Sequence, residues 1–236
     1  MSTKTKSLLI ILLILLADQV LKIYIKTHFM LGEEIVVFKN WFIIHFIENN
    51  GMAFGFEFGK DIGKYFLSIF RMVAIGALGW YLLKLIKKGV PFGLVVCFSL
   101  IIAGAAGNLI DSAFYGLIFN DSHFSVASLF PEGGGYNSFL LGKVVDMFYF
   151  PLIEGHFPSW FPFWAGQEFI FFRPVFNIAD ASISVGIVAI FVFYRQHFDE
   201  KKEEAVVPVE VALPEDAIVT NELAEEEMEK QDDTTN

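Results

Sequence analysis

The chain has 236 residues, of which 55% are hydrophobic, 17% aromatic and 19% charged. A soluble domain carries about 25% charged residues, so this chain has too little polar surface to cover a globule in water, and a membrane protein is implied. The net charge of -10 sits at the end: residues 199–236 hold 14 acidic and 3 basic residues, whereas the rest hold 13 and 14. A near-neutral body excludes a nucleic-acid partner, which would need a basic face, and a single cysteine, Cys97, excludes an internal disulfide or a zinc cluster.

Four stretches approach the length a bilayer demands, about 20 apolar residues: 7–25, 65–86, 91–110 and 176–194. The first begins like a cleavable leader, with Lys4 and Lys6 before a Leu/Ile run. No small-residue cleavage site follows, and the run continues into Asp18, Gln19 and Lys22, so it reads as a retained helix. Lys4 and Lys6, then Lys84, Lys87 and Lys88, then Arg195, Lys201 and Lys202 fall on one side of the alternating spans. The positive-inside rule makes that side cytoplasmic, with both termini inside. The connections 26–64 and 112–175 then face outward, toward the periplasm.

In the first outer connection, 34–38 and 41–47 are β-branched and aromatic around Lys39 and Asn40, which predicts a small antiparallel sheet at the membrane surface. In the second, 114–142 carries Gly133, Gly134 and Gly135 and reads as a loop. The segment 151–172 is dense in Phe and Trp but contains Pro158 and Pro162, so it reads as an interfacial element, not a fifth span. The expected fold is mainly α: a polytopic membrane protein with four transmembrane helices, a small periplasmic β-sheet and interfacial loop elements. Two domains are expected, a membrane body at 1–198 and an acidic tail at 199–236 that reads as a disordered cytoplasmic extension.

Ionisable residues within a membrane are costly and mark function. The spans bring four aspartates to one depth, near the outer edge of the hydrocarbon: Asp18, Asp111, Asp146 and Asp180. Asn108 stands three residues before Asp111 and Asn177 three before Asp180, which on a helix is one face. The small residues of 103–107 permit close helix contact beside them. Two aspartates held together share one proton, so one activates a water while the other protonates a carbonyl. Serine chemistry is disfavoured, because Ser112, Ser182 and Ser184 have no suitably placed His, with His123 and His156 read as loop residues. No zinc spacing is present, and neither a cofactor nor a metal is implied. A proton-coupled transporter is the rival reading, but 8–16 is wholly apolar, so no polar path continues across. A non-catalytic scaffold would leave the carboxylate cluster unexplained.

Five short motifs occur in order: Asp18-Gln19-x-x-Lys22; Asn49-x-Gly51-x-Ala53-Phe54-Gly55; Gly104-x-x-Gly107-Asn108-x-x-Asp111; Val144-Val145-Asp146; and Phe176-Asn177-x-Ala179-Asp180. On a four-helix frame this order resembles the bacterial lipoprotein signal peptidases, the type II signal peptidases, over about 17–190. The resemblance implies an aspartic endopeptidase of the inner membrane, with its active site toward the periplasmic side, that cuts prolipoproteins just before a diacylglyceryl-modified cysteine. It implies Asp146 and Asp180 as the catalytic dyad, with Asp18, Lys22, Asn49, Gly51, Asn108, Asp111 and Asn177 lining or supporting the site. Prolipoproteins, membrane lipids and cyclic depsipeptide inhibitors are the implied partners, and a monomer is expected. The chain departs from the family pattern at Ser112, where the family has Arg, and at Met147, where it has Phe. Arg173 or Lys143 is the candidate replacement for that Arg, and 114–142 and 151–172 look like insertions.

Overall fold

The computed structural model describes residues 1–39, 41–50, 61–151, 153–156, 158–160, 166, 168–171 and 174–198. Gly51, the Ala53-Phe54-Gly55 stretch, Arg173 and the acidic segment 199–236 lie outside them. The chain divides into two units, 1–194 and 195–236, and the first holds the apolar helices and the sheets.

Helix α1 (Thr3–His28) starts where the Ser2 hydroxyl accepts from the Thr5 backbone N–H, satisfying a donor that a first turn leaves unpaired. Helix α2 (Asp61–Lys87) and helix α3 (Phe92–Ile110) follow. Their tight connection turns at Gly89, whose φ of +69° is a left-handed helix end that glycine tolerates without a Cβ clash. Beyond α3 the helix widens into one π turn at Asp111–Tyr115 and closes in a short α4 (Gly116–Ile118). The widening leaves the Ser112 carbonyl to accept from Gly142 N–H at 2.8 Å and the Ala113 carbonyl from Leu140 N–H at 3.3 Å.

Strands β1 (Glu34–Phe38) and β2 (Phe42–Asn49) form the expected hairpin. Strand β3 (Val144–Tyr149), which the sequence pattern did not predict, pairs antiparallel with β2, and β6 (Val175–Phe176) pairs with β3. In the aromatic segment β4 (Ile153–His156) pairs with β5 (Glu168–Phe171), so His156 stands in a strand and not in a loop. Helix α5 (Ile178–Ala189) ends in a second π turn at Ile190–Tyr194. It begins two residues later than expected, because Val175 and Phe176 are committed to the sheet and Asn177 is the cap.

Among the described residues three helical segments are long and apolar enough to cross a membrane: Thr3–His28, Asp61–Lys87 and Phe92–Ile118. The fourth, Ile178–Tyr194, is apolar but shorter. Leu12, Leu13 and Leu16 of α1, Phe66 and Val73 of α2, and Val188 and Phe191 near the end of the chain's last apolar helix are all exposed. An apolar surface of this extent suits acyl chains, not water.

Helices α3 and α5 meet through small residues, as the 103–107 stretch suggested. A Cβ on Gly104 would stand 2.2 Å from the Ala179 carbonyl oxygen, and one on Gly107 would stand 2.7 Å from Asp18 Oδ2. On α5, a Cβ on Gly186 would meet the carbonyl of Cys97, itself buried, at 2.7 Å. Without a hydrophobic drive between helices in lipid, such close approach is what dispersion contacts require. It also brings the start of α5 against the end of α3, where the polar residues stand.

Candidate active site

Lys22 is the hub. Its ammonium, wholly buried, lies 2.9 Å from Asp18 Oδ2 and 2.8 Å from Asp111 Oδ2, and donates to Asn108 Oδ1 at 2.9 Å. Asp18 and Asp111 are equally buried. Buried charges are tolerated only when paired and hydrogen-bonded, and these carboxylates use further acceptor positions. Asp18 Oδ1 accepts from the Ala179 backbone N–H at 3.0 Å, which ties α1 to the first turn of α5. Asp111 Oδ1 accepts from Gln19 Nε2 at 2.9 Å, and its Oδ2 accepts from the Val145 N–H at 3.3 Å, next to Asp146. Tyr115 donates in turn to Gln19 Oε1 at 3.2 Å.

Two asparagines carry this frame to the other two aspartates. Asn177 caps α5: its Oδ1 accepts from Asp180 N–H at 2.9 Å, while Asp180 Oδ2 accepts from Asn177 N–H at 3.4 Å, a reciprocal capping box. Its Nδ2 donates to Asp146 Oδ1 at 2.7 Å and lies 3.1 Å from Asn108 Oδ1. Asn108 Nδ2 donates to Asp180 Oδ1 at 2.8 Å. The i, i+3 spacing therefore has two outcomes. Asn177 does engage Asp180, through the cap, whereas Asn108 passes over its own helix neighbour and reaches Asp180 on another helix.

Asp146 is delivered by β3. In the β2–β3 register Asn49 stands opposite Val144 and Ile47 opposite Asp146, so Asn49 and Asp146 are diagonal neighbours on one face. The Asn49 side chain hydrogen-bonds the Asp146 carboxylate. The adjacent Glu48 points to the other face, as strand alternation requires. There it binds Lys26, accepts from Lys143 Nζ at 3.0 Å and from Ser122 Oγ at 3.0 Å. Burial alone would push the Glu48 carboxyl up, but the Lys26 and Lys143 ammoniums override it and hold it below the usual range. This cluster anchors β2 while its next residue touches Asp146.

Burial, then the nearby charge of Asp180, push Asp146 up to about 7; the Asn177 and Asn49 hydrogen bonds and the Lys22 charge oppose the rise. Asp146 is buried and Asp180 half-buried. Phe148, two residues from Asp146, and Ala181, next to Asp180, help line a cavity of ≈ 420 Å³ together with Phe42, Phe176, Ser182 and Val185 among others. Phe42 stacks on Phe150 at 4.8 Å, so one wall is aromatic.

Eight of the nine sequence-predicted site residues thus stand in one connected polar cluster, and the ninth, Gly51, is outside the described residues. Ser112 is a different matter. Lys143 does not replace an arginine there, since its ammonium is engaged by Glu48. Instead Arg71 of α2 donates from Nη1 to Ser112 Oγ at 3.1 Å. The sequence motifs do not single out Arg71, although it is the only charged residue between Lys64 and Lys84. A lone cation in an apolar span was the available signal.

A family model for signal peptidase (SPase) II matches residues 10–195. A lipoprotein signal peptidase of Porphyromonas gingivalis is 56% identical over 186 residues, covering 78% of this chain and 80% of that one. One from Amoebophilus asiaticus is 36% identical over 184 residues, covering 77% and 74%. A solved bacterial membrane enzyme aligns with a TM-score of 0.54 at 25% identity, over 84% of this chain and 93% of its own. A matched segment that runs from within α1 to the end of the last apolar helix, and takes in every polar residue of the cluster, places the chain in the signal peptidase II family.

Proposed function

We propose that the chain is an aspartic endopeptidase that removes the signal peptide from prolipoproteins just before their diacylglyceryl-modified cysteine. The observation that carries this reading is the pair Asp146 and Asp180, each accepting a hydrogen bond from one of two asparagines that also contact each other. Asp180 exerts the largest charge effect on Asp146. Carboxylates coupled in this way hold one proton between them near neutral pH.

The steps follow from that proton. The ionised carboxylate accepts a proton from water as its oxygen attacks the scissile carbonyl carbon. The protonated carboxyl, Asp146 by its burial, donates to the carbonyl oxygen. Collapse of the tetrahedral diol breaks the C–N bond: the departing nitrogen takes the proton drawn from water, a diol hydroxyl gives its proton to the other carboxylate, and the pair again holds one proton. The fixed asparagine donors hold both carboxylates without reorganisation as charge moves. The aromatic cavity would take acyl chains of the substrate, which brings its own lipid.

The distribution of Lys and Arg supports both termini on the cytoplasmic side of the inner membrane and the site at its outer face. Detergent-solubilised protein should cut a diacylglyceryl-modified prolipoprotein peptide before the lipidated cysteine, read as a mass shift, and leave the unlipidated peptide intact. The rate should fall about tenfold per pH unit above about 7 as the shared proton is lost. Equal cutting of both peptides, or none of either, would contradict the reading.

A further inference from the structure

We propose that Arg71 is the positioning cation of the aspartate pair, reaching it from α2 through Ser112 and Asn108. The inference rests on the peptidase reading above. Arg71 Nη1 donates to Ser112 Oγ at 3.1 Å, Ser112 Oγ donates to the Asn108 carbonyl at 3.0 Å, and Asn108 Nδ2 donates to Asp180 Oδ1 at 2.8 Å. The guanidinium is half-buried in a span that is otherwise uncharged from 65 to 83. The aspartates near enough to feel its charge are Asp180, Asp111 and Asp146.

A charge count gives this contact its role. Among the described residues the ionisable groups facing the site are Asp18 and Lys22 from α1, Arg71 from α2, Asp111 from the π turn, Asp146 from β3 and Asp180 from α5. Tyr115 lies behind Gln19. With one proton on the pair, Asp18, Asp111 and the pair present three negative charges. Lys22 is committed to Asp18 and Asp111, at 2.9 and 2.8 Å. Among the described residues Arg71 is the cation left to balance the pair, and its hydrogen-bonded relay ends on Asp180. It therefore supports Asp180 as the base and leaves Asp146, the more buried of the two, as the acid. The cation arrives from α2, and Ser112 beside Asp111 supplies its anchor.

The test is the pH dependence of kcat/KM on the diacylglyceryl-modified peptide, for wild type, R71Q and R71K. Losing a nearby cation favours the protonated form of a carboxylate, so the R71Q optimum should move up by about one pH unit, with a rate loss of about 10- to 100-fold at pH 6. R71K, which keeps the charge, should keep the wild-type profile. An R71Q profile that coincides with wild type, whatever its height, overturns the proposal. If R71Q does not fold, S112A decides: removing the anchor should move the profile the same way by a smaller amount, and an unshifted profile overturns it. Wild-type protein that cuts nothing sinks the peptidase reading, whereas active wild type with an unshifted R71Q sinks only the role of Arg71.

Discussion

Asparagine at position 146 or at position 180 is expected to lower cleavage of the diacylglyceryl-modified peptide by about 10⁴-fold or more, with the protein still folded in the membrane. Asn has nearly the shape of Asp and keeps one acceptor oxygen. In D146N that oxygen can still accept from Asn177 Nδ2, and in D180N it can still accept from Asn108 Nδ2, giving up only the long 3.4 Å return bond from Asn177 N–H. The hydrogen-bond frame is therefore kept to within about 1 kcal/mol. The lost quantity is the mobile proton, because an amide neither takes one from water nor gives one to a carbonyl. The double variant should be no slower than either single one, since two groups that share a proton act as one unit. Assay on purified protein, with a thermal melt alongside, checks this; near-wild-type cleavage by either variant would remove the pair from the chemistry.

Lys22→Met is expected to act on the fold. The ammonium is wholly buried and ties Asp18, Asp111 and the Asn108 amide oxygen together within 2.9 Å. Removing it leaves two buried carboxylates facing each other without a cation, a loss of about 3–5 kcal/mol. Asp18 also holds the first turn of α5 through Ala179, and Asp111 holds β3 through Val145, so the damage reaches both catalytic candidates. Unfolding in detergent, by heat or denaturant, measures it. A change under about 1 kcal/mol would show that the triad is not a structural keystone. D146N and K22M are thus opposite in kind: the first should spare stability and remove activity, the second should lose stability first.

The spans were legible because a bilayer permits few alternatives to a run of about 20 apolar residues. The hairpin of β1 and β2 was legible because its β-branched and aromatic residues are local to it. Strand β3 was not, since its partner β2 lies roughly a hundred residues earlier, and a six-residue strand before Pro151 carries little signal of its own. The four aspartates could be gathered by depth alone. Their partners could not be assigned that way: helix periodicity puts Asn108 beside Asp111, but the close packing of Gly104 against Ala179 brings Asp180 within its reach. The partner of Arg71 was hidden for the same reason, although its lone charge in an apolar span was not. Which helix lies beside Ser112 is a property of three-dimensional packing, and Lys143, nearer in sequence, is drawn away by Glu48.

The proposed chemistry turns on how many protons two side chains hold. Isotope-edited infrared spectra of protein with labelled aspartate carboxyls, wild type minus D146N/D180N at pH 6, count them directly. One protonated and one ionised carboxyl in the difference is the result expected from the rise of Asp146 to about 7 beside Asp180. Two ionised carboxylates, or two neutral ones, would contradict it.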